Sequence, residues 1–126
     1  MNEKIRVLVV EPMELPQVRE IDNRLKAMQG IVGGLIEPVP LYEDPEVCLV
    51  CNEEGKLLGL PYNRALKDRD GDIYDIVQGT FFLAGSRDGD MTSLSEEQIK
   101  AFTDLYSREM VLTVPELEQG GMHGMC

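Results

Sequence analysis

Gly79-Thr80-Phe81-Phe82-Leu83-Ala84-Gly85 is the stretch on which the fold turns. A short unbroken apolar run bounded by glycines reads as a buried strand, closed by Gly85 and a polar loop over 86–92. Such a strand needs partners. Ile5-Arg6-Val7-Leu8-Val9-Val10 supplies a second buried strand, and Val47–Cys51 another. Leu35, Ile36, Val39 and Leu41 make a further strand, which Pro38 and Pro40 mark as short or at a sheet edge. Asn52-Glu53-Glu54-Gly55 reads as a tight reversal into Lys56-Leu57-Leu58, which predicts a hairpin over 46–60. Residues 61–75 read as polar and irregular around the turn signal Asp70-Gly71-Asp72.

Two helices accompany these strands. Val18, Ile21, Leu25 and Met28 recur at helical spacing and predict an amphipathic helix from about Pro16 to Gln29. Pro16 suits its first turn and Gly30 its end. Ser95 and Gln98 form a capping box, Leu94 and Ile99 a hydrophobic staple around it. Ile99, Phe102, Leu105 and Tyr106 then carry a second helix to about Arg108. Met110 to Val114 reads as one more short strand, followed by a loose tail. The expected fold class is α+β, a small antiparallel or mixed sheet of four to six strands packed by two helices. Residues 1–108 form a single α+β domain, and 109–126 a C-terminal extension of one short strand and a flexible tail.

The 126 residues carry 12 basic and 23 acidic side chains, a formal charge of −11. That balance argues against direct binding of nucleic acid over a broad face, which needs a basic surface. The apolar runs fall far short of the roughly 18 residues a membrane span requires. No basic segment followed by an apolar one opens the chain, so no secretory signal is expected. With three cysteines, an odd number, this points to free thiols and a cytoplasmic location. Cys48 and Cys51 have redox-pair spacing, but β-favouring neighbours place them on a strand, where positions three apart face opposite ways. His123 and Cys126 lie in a Gly- and Met-rich tail without a second ligand pair. Asp68, Asp70 and Asp72 resemble the start of a calcium loop, yet the required glycine and glutamate positions hold Ile73 and Gly79. No catalytic signature is present, and no catalytic residue, metal or cofactor is assigned.

The charge is unevenly spread. Residues 36–54 hold Glu37, Glu43, Asp44, Glu46, Glu53 and Glu54 with no lysine or arginine. Residues 55–69 hold Lys56, Arg64, Lys67 and Arg69 against Asp68 alone. A basic island in an acidic chain suits a pocket for a small anionic ligand, with arginine gripping phosphate through paired hydrogen bonds. It equally suits internal pairing with the neighbouring acids.

Several blocks together resemble one family. They are Ile5 to Val10; Glu20-Ile21-Asp22-Asn23 with Leu25; Gln29 with Val32-Gly33-Gly34 and Ile36-Glu37; Cys51 to Lys56; Gly59-Leu60-Pro61 with Asn63-Arg64; Asp75-Ile76-Val77 with Gly79 to Phe82; and Ser93-Leu94-Ser95 with Glu97-Gln98. Over about residues 4–106 the chain resembles the domain of unknown function 3846, a family of small phage and mobile-element proteins. The resemblance implies no activity. It implies a setting in which counter-defence genes are carried. The expectation is a non-enzymatic protein that sequesters a small nucleotide-type immune signal, such as a cyclic nucleotide or a cyclic ADP-ribose-like molecule. In that reading Arg64, with Lys56 or Lys67, holds phosphates. Asn63, Asn52 and Thr80 bond a base or ribose, and Phe82 or Tyr62 stacks on the base. A homodimer or higher oligomer completes the pocket. The alternative is an acidic inhibitor that acts by protein–protein contact, imitating DNA against a host defence nuclease.

Overall fold

The computed structural model describes residues 3–109. Two helices and eight strands follow one another as β1 (Lys4–Val10), β2 (Gln17–Asp22), α1 (Leu25–Val32), β3 (Ile36–Pro40), β4 (Val47–Asn52), β5 (Tyr62–Lys67), β6 (Ile73–Gln78), β7 (Phe81–Arg87), β8 (Asp90–Thr92) and α2 (Glu96–Arg108). The main sheet is six-stranded, ordered β2-β1-β7-β4-β3 with β8 paired to β7, and β5-β6 form a separate hairpin. Every pairing is antiparallel. This is the expected α+β class, a small sheet with two helices.

The glycine-bounded run sits at the centre. β7 lies between β1 and β4, with Phe81, Phe82, Leu83 and Ala84 wholly buried. Strand alternation sends Phe81 and Leu83 to one face and Phe82 and Ala84 to the other. Phe81 and Leu83 join Leu8, Val10, Leu49, Leu66, Val77, Phe102 and Tyr106. Phe82 and Ala84 join Ile5, Val7, Val9, Val50, Met28 and Val32. The sheet is therefore a middle layer, with α1 on one side and α2 with the β5-β6 hairpin on the other. Burying each Phe here contributes about 1.5–3 kcal/mol. Cys48 and Cys51 lie on opposite faces of β4, in contact with different clusters.

Several expectations need correction. The segment predicted as a helix over Pro16–Gln29 is strand β2 followed by α1. Half-exposed Val18 and Leu25 show that the helically spaced face is not a buried stripe. β1 instead offers an unpaired edge, and β2 satisfies it in a register from Lys4–Asp22 to Val9–Gln17. The helix starts only after Arg24, and Gly30 lies inside it. Gly33, at φ 82, ends α1 in the left-handed conformation, its N–H donating to the Gln29 carbonyl. The hairpin expected over 46–60 is absent, since residues 53–59 form turns and β4 pairs with β3 and β7. The stretch 61–75, expected to be irregular, holds β5 and the start of β6. The turn between them is where expected: Asp68 Oδ1 accepts the N–H groups of Asp70 and Asp72. The loop expected over 86–92 is instead the end of β7 turning into β8. The strand and tail expected at 110–126 lie outside the described residues.

The start of α2 matches its expectation. Ser95 accepts from the Gln98 N–H at 3.1 Å, and the Gln98 side chain accepts from the Ser95 N–H at 2.9 Å. Ser95→Ala is expected to lower unfolding free energy by about 1 kcal/mol in urea titration.

Candidate functional site

Asn63 and Arg64 enter the interior together at the start of β5, and both are wholly buried. The Asn63 amide donates to the carbonyls of Val10, at the end of β1, and Gly79, between β6 and β7. Its oxygen accepts from Arg64 Nη1 at 2.7 Å. Arg64 Nε donates to the Tyr106 carbonyl at 2.9 Å, and Nη2 to the Glu14 carbonyl at 2.6 Å. No carboxylate pairs with this guanidinium among the described residues.

A lone buried cation is costly unless it is fully hydrogen-bonded. Here carbonyl dipoles replace the counter-ion. The Tyr106 carbonyl belongs to the last turn of α2, the negative end of the helix dipole. Burial draws the Arg64 pKa below its ordinary value, although an arginine stays protonated in proteins. The Tyr106 ring packs edge-on against Phe81, at 5.7 Å between centroids, and stacks beside Phe102. Asn63 and Arg64 therefore tie together β1, the loop after it, the β6–β7 turn and the end of α2.

The other candidate residues do not converge on this pair. Phe82 is buried in the α1-side cluster, and Tyr62 and Thr80 are half-buried. Lys67 pairs with Glu109, and Lys56 with Asp75. Asn52 donates to the Val32 carbonyl and accepts from the Glu54 N–H, so it fastens the end of α1 to the turn after β4. Of the eight candidates, Asn52 and Lys56 line one cleft together. The cationic island is thus largely spent on internal contacts.

That cleft, of about 400 Å³, lies between β3-β4 and the β5-β6 hairpin. Val39, Cys51, Leu66 and Val77 supply apolar wall, while Glu37, Glu53 and Asp75 supply carboxylates. Leu57 borders it and is 87% exposed. A second hollow, of about 610 Å³, lies where the β3–β4 connection meets α2, and Glu43, Asp44, Glu46 and Glu97 line it with Arg87. Both hollows are rich in carboxylates. Sequence reasoning noted the acid-only stretch 36–54 but missed that it borders two hollows. The oxygens of Asp68, Asp70 and Asp72 lie within 4.8 Å of one another, and the Asp68 carboxylate, which accepts the N–H groups of the other two residues, draws the turn together. Burial pushes the Cys48 thiol up, away from the reactive thiolate form.

Fold and interior define a small three-layer α+β domain organised around a buried Asn–Arg pair. Residues 5–107 match the family described as Domain of unknown function (DUF3846), and the chain belongs to that family. No curated protein and no solved structure matches it.

If Arg64 is an internal fastener, Arg64→Met is expected to lower unfolding free energy by about 3–5 kcal/mol, because it strands buried acceptors. Arg64→Lys should not restore stability, since one ammonium cannot span the same acceptors. Urea titration checks both, and a loss well under ~1 kcal/mol would contradict the role. Alkaline pH supplies a second check. Burial raises the Tyr106 pKa above its ordinary value of 10.0. The unfolded chain therefore ionises this phenol first. Its contribution is intact below about pH 10 and is lost as pH rises further. Tyr106→Phe should flatten that decline in urea midpoints measured from about pH 8 to 11.

Proposed function

We propose that this protein is a non-enzymatic acidic binding module that engages a basic surface on a partner protein. The observation that carries the reading is the uncompensated acidity of the β3–β4 side. Glu37, Glu43, Glu46, Glu53 and Glu54 are exposed, and none forms an ion pair among the described residues. Exposed Leu35, Tyr42, Leu57 and Leu58 belong to the same part of the chain. Carboxylates beside apolar side chains suit lysine and arginine side chains, whose stems are apolar and whose heads are charged. The charge of −11 would steer a basic partner toward this face.

The phage and mobile-element setting implied by the family resemblance makes a defence nuclease in a host cytoplasm one partner of the right chemistry, since its nucleic-acid groove is basic. Sequestration of a nucleotide-type signal has weaker support. Asn52 and Lys56 share the smaller cleft, but Glu37, Glu53 and Asp75 would repel a phosphate there.

The test is competition. The protein is titrated into complexes of labelled duplex DNA with a panel of defence nucleases, at about 50 and 300 mM salt. DNA displacement is expected for at least one nuclease at low salt. It should weaken about tenfold or more when Glu37, Glu53 and Glu54 are changed to glutamine, and fade at high salt as charges are screened. Displacement that ignores these changes, or none from any nuclease alongside a thermal shift with cyclic nucleotides, would return the weight to the sequestration reading.

A further inference from the structure

The two edges of the main sheet are built differently. On the β3 edge, the Glu53 N–H donates to the Leu35 carbonyl, which marks that pair as hydrogen-bonded. Alternation then turns the backbone groups of Ile36, Pro38 and Pro40 outward. Two of these lack an N–H, so this edge is a poor template for another strand.

The β2 edge has no such protection within the strand. The Asn23 N–H donates to the Glu3 carbonyl, so Ile21, Arg19 and Gln17 bond to β1, while Val18, Glu20 and Asp22 turn their backbone groups outward. The opposite side of β1 agrees, because the N–H and carbonyl of Arg6 are both engaged by Ser93 and Leu94 rather than by β2. The Asp22 carbonyl is taken by the Arg24 N–H, which leaves Val18 and Glu20 as the pair whose outward groups have no backbone partner among the described residues. Val18 is 51% exposed, and the preceding loop exposes Met13 and Leu15 by 54% and 61%. Met13 sits at φ 66, a strained conformation for a side-chain-bearing residue, next to Glu14, whose carbonyl Arg64 holds. Among the described residues, β2 thus offers an open backbone edge, and the loop before it offers exposed apolar side chains.

We propose that a second copy of this chain covers this edge, with β2 pairing antiparallel to its own counterpart about a two-fold axis at Val18. Charge selects the register. An axis at Glu20 sets Glu20 against Glu20, one at Arg19 sets Arg19 against Arg19, and one at Ile21 sets Glu20 against Asp22 twice. The axis at Val18 sets Val18 against Val18, Gln17 against Arg19 and Glu20 against Pro16, with no like charges opposed over residues 16–20. Pro16 has no N–H, so the joint is short: both bonds of the Val18 pair, and one from each Glu20 N–H to the facing Pro16 carbonyl. Glu14 and Asp22 would face each other only if the pairing ran on past β2 into the loop. Met13 and Leu15 of each chain then flank the joint. Two chains of −11 repel at long range, so this dimer strengthens with added salt, opposite to the basic-partner contact proposed above.

Sedimentation velocity on the full chain, from about 5 µM to 500 µM and at about 50 and 500 mM salt, reads the outcome. A concentration-dependent dimer, more populated at high salt, is expected. Val18→Pro removes only an outward N–H, so it should leave β1-β2 pairing intact and make the protein monomeric. Circular dichroism verifies that the variant folds. Val18→Lys places like charges on the axis and should also give a monomer. A wild-type monomer throughout the range overturns the proposal, as does a dimer that survives both substitutions. So does a monomer that instead captures a lysine-alternating strand peptide at this edge.

Discussion

A guanidinium in the interior with no acid to answer it among the described residues is the constraint around which this fold is arranged. Arg64 can be buried only if backbone carbonyls come to it, and those it uses belong to the loop after β1 and the end of α2. Asn63 extends the arrangement to the end of β1 and the β6–β7 turn. Segments far apart in the chain thereby acquire a shared reason to meet, which hydrophobic burial alone does not specify. Gly79 belongs to the same arrangement. Its φ of 88 makes the sharp passage into β7, and a Cβ there would lie 2.6 Å from the Leu60 side chain.

The elements that could be read from the chain share a property: their signals are local and agree with their burial. β7 and β1 are continuous apolar runs in the middle of a sheet covered on both faces. α2 carries its own cap. β3 announces its edge position through its prolines. The misread elements are those where pairing overrode local pattern. β2 has helical spacing of apolar residues but is claimed by the edge of β1. β5 and β6 carry many polar residues, because their strands meet each other outside the main sheet. The sequence also made Asn63 and Arg64 conspicuous as residues with no turn to make. What it could not show was direction. An arginine aimed at carbonyls inside the protein and one aimed at a phosphate outside have the same neighbours in the chain.

Once Arg64, Lys56 and Lys67 are counted as internal, the molecule's electrostatics simplify. The basic island at 55–69 holds the hairpin to the body of the protein, and the acid-only stretch at 36–54 remains turned outward. The sheet shows a parallel division of labour. Its β3 edge is closed by proline and surrounded by carboxylates, and its β2 edge is open and bordered by apolar groups. The two sides of the molecule therefore suit different kinds of contact, one electrostatic and salt-sensitive, the other made of backbone hydrogen bonds and burial.

The bond from Arg64 to the Tyr106 carbonyl also has a meaning in time. During synthesis the arginine leaves the ribosome about forty residues before its acceptor does, so the nascent chain carries an unsatisfied cation in what will become its interior. The β-rich body cannot close over that charge until α2 arrives. Arrival of α2 and completion of the core are thus the same event, and a product terminated before Tyr106 is left open rather than nearly folded.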